Sequence, residues 1–187
     1  EPLMTNIKIL NDNLVNQIAA GEVIERPASV VKELCENSID SNADNLEVEI
    51  TAGGINCIKV TDNGTGILKD DLSLSVQRHA TSKIRTLEDL DSLYSLGFRG
   101  EALASIASVS RLRIMSATEE NNAYMIEATN TNSNGELTPI AHPRGTTVLV
   151  NDLFYNTPAR RKFLRTEITE YKKIEEYIKL IGLVNMN

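Results

Sequence analysis

The chain has 187 residues, of which 41% are hydrophobic and 24% charged, with a formal net charge of −7. These figures suit an ordinary globular domain with one sizeable core, and they exclude a general electrostatic attraction to nucleic acid, leaving only a local basic patch able to meet phosphate. No apolar run nears the ~20 residues that span a bilayer, and no charged-then-apolar leader opens the chain, so a soluble protein with no membrane partner is expected.

Met4 would serve as a native start, and residues 1–6 are expected to be a flexible segment ahead of one domain over 7–187. Cys35 and Cys57 are too few and too far apart for a zinc framework. Reduced, buried thiols and a cytoplasmic home fit them.

Asn11 to Asn13 can cap a short helix carrying Leu14, Val15, Ile18 and Ala19, which Gly21 ends. Pro27 suits the first turn of the next helix, where its missing N–H costs nothing, so a helix is predicted from Pro27 to Ser41. At ~100° per residue Glu33, Asn37 and Asp40 share a polar arc, opposite Val30, Val31, Leu34, Cys35 and Ile39. Leu46, Val48 and Ile50 then alternate with Glu47, Glu49 and Thr51, a strand with one wet face. Gly53-Gly54 can turn it into a second strand over Ile55 to Thr61.

The loop Asp62-Asn-Gly-Thr-Gly66 follows, and its glycines permit a close approach of backbone to a ligand. A helix is predicted from Leu68 to about His79 with Leu72 and Val76 inward, and another over Leu87 to Tyr94. Beyond the Gly97-to-Gly100 interruption, Glu101 to Ser108 should be helical. Arg111 to Ala117, Ala123 to Thr129 and Gly145 to Val150 should be strands of a mainly antiparallel sheet, with a polar hairpin tip at Thr131 to Gly135. Pro158 to Arg165 reads as a short basic helix and Glu167 to Leu183 as a longer amphipathic one.

Neither a P-loop nor a Rossmann glycine turn is present, so a nucleotide site would need another plan. Glu33 can take a proton from a water, and the Asn37 side-chain carbonyl, one turn later, can fill an oxygen position around Mg²⁺. Asp62 can accept a charge-assisted hydrogen bond from an exocyclic amine, and the Gly97-to-Glu101 turn can aim N–H groups at phosphates. Taken singly, each has a commoner reading: a polar helix face, a tight turn, a helix cap. Thr81, Ser82 and Lys83 read as a phosphate-reaching loop or as a solvated one. His79 and His142 lack partners at ligand spacing and read as surface or cap residues. Arg160, Arg161, Lys162 and Arg165 offer phosphate contact or a solvated basic helix.

Four strings remove that ambiguity: Asn16 to Leu34 (NQIAAGEVIERPASVVKEL), Arg78 to Ile84 (RHATSKI), Gly97 to Leu103 (GFRGEAL) and Leu153 to Leu164 (LFYNTPARRKFL). Their order and wording resemble the bacterial MutL mismatch-repair proteins, members of the GHKL ATPases, from about Ile7 to the end of the chain. The resemblance implies an α/β two-layer sandwich of the Bergerat type, a mostly antiparallel mixed sheet with helices on one face. It implies that ATP and Mg²⁺ are bound, with Glu33 as general base, Asn37 as metal ligand, Asp62 as adenine reader and Gly66 supporting the base pocket. Thr81, Ser82 and Lys83 would belong to a lid, while Gly97, Phe98, Arg99, Gly100, Glu101, Ala102 and Leu103 wrap the triphosphate, and Thr147 backs up adenine recognition. Apart from the resemblance, Arg160, Arg161, Lys162 and Arg165 are the candidate contacts for DNA or a partner.

The family pattern usually has Asp-Ala where Asp40-Ser41 stands here. By the same resemblance, ATP would favour a homodimer, and the partners would be DNA, a MutS-type mismatch-recognition protein and downstream repair enzymes. A second subdomain with a lysine for the γ-phosphate and a distant dimerisation domain are not in these residues, so hydrolysis by this stretch alone is expected to be slow or absent. The rival readings are another GHKL ATPase domain, against which the Phe154-to-Leu164 string argues, and a non-enzymatic DNA- or partner-binding module with a vestigial pocket.

Overall fold

The computed structural model describes residues 24–77, 102–129 and 135–184. In chain order these form α1 (Pro27–Asp40), β1 (Leu46–Thr51), β2 (Cys57–Asp62), α2 (Lys69–Ser75), α3 (102–108), β3 (Arg111–Ala117), β4 (Ala123–Ala128), β5 (Thr138–Ile140), β6 (Gly145–Asn151), α4 (Pro158–Phe163) and α5 (Glu167–Val184). The expected helices over 11–21 and 87–94 and the loop at 80–83 lie outside the described residues, as does nearly all of the turn at 131–135.

α1 starts on Pro27 and buries Pro27, Val30, Val31, Leu34, Cys35 and Ser38, one stripe at three- and four-residue spacing. It stops because Asn42 adopts φ +59°, the left-handed conformation in which asparagine is tolerated, after Ser41 N–H has bonded the Asn37 carbonyl at 3.1 Å. Cys35 lies on the buried side, and loss of hydration, with Glu36 adding to it, pushes its thiol up to about 12.

The strand order is β1-β2-β6-β3-β4-β5, and every pairing among the described strands is antiparallel, where a mixed sheet was expected. Residues directly opposite in such a sheet point to the same face, so the register sorts the side chains into rows. One row is Ile50, Ile58, Val150, Leu112 and Ala128, and the next is Val48, Val60, Val148, Ile114 and Ile126. Both belong to the core that α1 and α3 cover with Val30, Val31, Leu34, Leu103 and Ile106. A third row, Leu46, Asp62, Thr146, Ser116 and Tyr124, is polar at its centre although it lies on the same face.

Several boundaries differ from expectation for local reasons. The β1–β2 connection is a single 3₁₀ turn, Ala52–Gly54, and β2 begins at Cys57, because the carbonyls of Ile55 and Asn56 accept Leu153 and Asp152 N–H just after β6. At its other end β2 runs on to Asp62, which pairs with Leu46 and Thr146. α2 ends at Ser75, four residues early, yet Leu72 and Val76 are buried as expected. α4 ends at Phe163 because Leu164 turns extended and Thr166 caps α5, its Oγ1 accepting Thr169 N–H at 3.3 Å. β5, which the pattern did not reveal, is a three-residue edge strand centred on Pro139. Among the described residues no helix is long and apolar enough to cross a membrane.

Candidate nucleotide site

The polar row meets the end of α1 at Asp62. This carboxylate, 8% exposed, accepts Ser38 Oγ–H at 2.6 Å on Oδ2, and on Oδ1 it accepts Gly64 N–H at 2.9 Å and Thr146 N–H at 3.3 Å. Three neutral donors thus hold a buried carboxylate at a chosen angle, as a polar group removed from water requires. Ser38 follows Asn37 in α1, so the same hydrogen bond that orients Asp62 sets its distance from the face carrying Glu33 and Asn37. The row continues through Thr146 Oγ1 and Ser116 Oγ, 2.8 Å apart, and Ser116 Oγ accepts Ile67 N–H at 2.8 Å.

The loop after β2 is bound at both ends. Thr65 N–H donates to the Ser41 carbonyl at 2.9 Å, and Asn63 Oδ1 accepts the N–H groups of Asp44 and Asn45, each at 2.9 Å. Gly66 has φ +74°, and a Cβ there would lie 2.1 Å from the Ala117 carbonyl oxygen. Gly66→Ala should therefore lose about 3 kcal/mol of stability, through both the backbone conformation and the clash with β3. Urea unfolding measures this, and a loss under about 0.5 kcal/mol would show that the loop gives way instead. Gly145 lies as close on the other side, its Cβ position 2.1 Å from the Asp62 carbonyl oxygen.

On α1, Asn37 Oδ1 is buried and has no hydrogen-bond partner. Such an atom is costly unless something outside the protein meets it. No group of three or more His, Cys, Asp or Glu among the described residues is arranged to hold a metal ion. The lone Asn37 oxygen fits one position on a small hard cation such as Mg²⁺, which keeps several waters and takes few protein oxygens alongside substrate phosphates. Glu33 lies one turn earlier and is half-buried. Tyr177 of α5 lies nearby: burial, with Glu36, Cys35 and Glu33 adding to it, pushes its hydroxyl up to about 12.

The expected residues separate as follows. Glu33, Asn37, Asp62 and Gly66 lie on α1, at the end of β2 and in the loop that follows. Thr81, Ser82, Lys83 and Gly97 to Glu101 lie outside the described residues. Ala102 and Leu103 are each 7% exposed in α3, and Leu103 packs in the core, so their side chains do not line an open surface. Thr147 requires a correction of placement. It faces the side of the sheet away from Asp62, where its Oγ1 meets His142 Nε2 at 2.8 Å and Thr61 Oγ1 at 3.3 Å, while His142 Nδ1–H donates to the Pro143 carbonyl. The neighbour on the Asp62 side is Thr146. Strand parity could have found it: Val148 and Val150 face inward, so Thr146 must as well. The same count from Leu112 and Ile114 finds Ser116. Ser38 carried no such signal beyond its place on the buried stripe of α1.

On α4, Arg161, Lys162 and Arg165 just beyond it are exposed, Arg160 is half-buried, and Phe163 between them is 85% exposed.

The described strands form one antiparallel sheet, apolar under its helices except for one polar row beside a helix bearing a carboxylate and a carboxamide, the arrangement expected of a nucleotide site built without a P-loop. Residues 24–151 match the family model of histidine kinase-, DNA gyrase B- and HSP90-like ATPases. The chain belongs to that ATPase family. Within the family, its particular likeness is to the DNA mismatch repair protein MutL. It is 56% identical over 181 residues to MutL of Cellvibrio japonicus, covering 96% of this chain and 29% of that protein. Identity to MutL of Escherichia coli O9:H4 is 57% over 182 residues, covering 97% of this chain and 30% of that protein. The chain thus spans under a third of the length of these relatives. Among solved structures, the Aquifex aeolicus MutL ATPase domain complexed with ADP has a TM-score of 0.67 at 38% identity, covering 87% of this chain and 57% of that one. The N-terminal domain of a DNA repair protein has a TM-score of 0.76 at 34% identity, covering 93% and 50%.

Proposed function

We propose that this chain is the Mg-ATP-binding switch of a mismatch-repair protein, one whose nucleotide-bound form pairs with a second copy. The observation that carries it is the buried Asp62 carboxylate, bonded through Ser38 to the helix on which Asn37 Oδ1 has no partner. Asp62, with Thr146 beside it, reads the exocyclic amine of adenine. Asn37 would hold Mg²⁺, which when bound offsets the charge of the phosphates. Glu33 accepts the proton of the attacking water. The glycine-rich segment 97–101 and the start of α3 offer N–H groups to the phosphates, and Thr81, Ser82 and Lys83 close over them. An ADP complex of the related Aquifex domain supports the reading. Nucleotide acts as a switch to the extent that it binds the paired state better than the unpaired one.

Equilibrium binding of a non-hydrolysable ATP analogue tests this. Affinity should rise with Mg²⁺, and Asn37→Ala should remove most of that rise, about tenfold, because one oxygen of the cation's shell is gone. A folded chain that binds no analogue would end the proposal.

A second reading concerns α4. Its exposed Arg161 and Lys162, with Arg165, form a local positive cluster on a chain of charge −7, which suits DNA phosphate. The same proposal extends to contacts with DNA, with a mismatch-recognition protein and with downstream repair enzymes, and to work in the cytoplasm, as properties of a full-length member of the family.

A further inference from the structure

Apart from Pro27 in its first turn, helix α1 begins without the capping and acidic groups that usually stabilise a helix start. Its N-cap is Arg26, whose side chain makes no capping hydrogen bond, and its first turn contains no acidic residue. An arginine there stands at the positive end of the helix dipole, where a cation is unfavourable. The compensating charge arrives from the other end of the chain. Glu170 of α5, 0% exposed, places Oε1 3.9 Å from Arg26 Nη1, and the same oxygen accepts Arg165 N–H at 3.1 Å. Two turns further along α5, Tyr177 O–H donates to the Lys32 carbonyl at 3.5 Å, beside Glu33. α5 therefore meets α1 at its N-cap and again at the turn bearing the candidate base.

A carboxylate buried this completely is unfavourable unless a cation and donors surround it, and an apolar residue would pack the same place at less cost. Glu170 Oε2 and Arg26 Nη1 each lack a hydrogen-bond partner, so the two side chains are joined by charge across 3.9 Å and not by a hydrogen bond. We propose that Glu170 is a positioning residue for the nucleotide site: through Arg26 it sets the start of α1, and so where Glu33 and Asn37 stand relative to Asp62. This rests on the ATP reading above.

The test compares Glu170→Gln, Arg26→Gln, Arg26→Lys and the double glutamine variant. Each is assayed for affinity for a non-hydrolysable ATP analogue with and without Mg²⁺, and for its thermal midpoint. Glu170→Gln keeps an acceptor for Arg165 N–H while removing the charge and replacing the other oxygen by an NH₂ group. Each glutamine variant should cut the Mg²⁺-dependent gain in affinity about fivefold, the double should be no worse than either single, and Arg26→Lys should retain most of the gain. If Glu170→Gln does not fold, the Arg26 pair, at a side chain 33% exposed, still decides. A lowered midpoint with the Mg²⁺ gain intact would overturn the proposal, as would additive losses. If the wild-type chain shows no Mg²⁺-dependent binding, the ATP reading itself falls before any substitution is made, and the positioning role falls with it.

Discussion

Asp62→Asn should weaken binding of a non-hydrolysable ATP analogue about 100-fold, by removing a charge-assisted acceptor from a buried site. The substitution is well posed because it is nearly isosteric. An asparagine can keep its oxygen where Oδ1 accepts Gly64 and Thr146 N–H, and turn its NH₂ toward Ser38 Oγ, which can rotate to accept. Folding stability should therefore fall by only about 1–2 kcal/mol while the ligand faces a donor where it needs an acceptor. Isothermal titration beside thermal unfolding separates the two effects. Wild-type affinity in a folded Asp62→Asn protein would remove Asp62 from base recognition.

Glu33→Ala should have the opposite profile: analogue affinity within about threefold of wild type, and turnover lower by about 10²–10⁴, the range for loss of a general base. Turnover is to be measured in a protein long enough to supply the rest of the ATPase, since this chain spans 29% of its C. japonicus relative. Glu33 is half-buried on the polar side of α1, so truncating it should leave the stripe from Pro27 to Ser38 packed. A parallel loss of binding and turnover would assign Glu33 to ligand contact and leave the water without a base.

Much of this architecture could be read locally. Pro27, the spacing of Val30, Val31, Leu34 and Cys35, and the alternation from Leu46 to Thr51 fixed α1 and β1 to within a residue, because burial of one face has a period set by backbone geometry. β5 escaped because three residues around a proline carry no period. The Gly-Thr-Thr triplet by its wording points to Thr147, whereas the parity that a strand imposes points to Thr146. A shift of one residue moves a side chain to the other face of the sheet, and here it exchanges Asp62 for His142 as the neighbour.

The sequence by itself determined most of the apolar stripe of α1 and the alternation of β1, which residues carry oxygens, and the family to which the wording belongs. Only the tertiary structure decided that Asp62, Thr146, Ser116 and Ser38 are neighbours. Asp62 and Thr146 are 84 residues apart and meet because β2 pairs with β6 in one register. Glu170 likewise reaches Arg26 only because α5 folds back across the start of α1. Local periodicity is set by bonds between adjacent residues. Register and helix docking are set by the whole core at once, and the site depends on both.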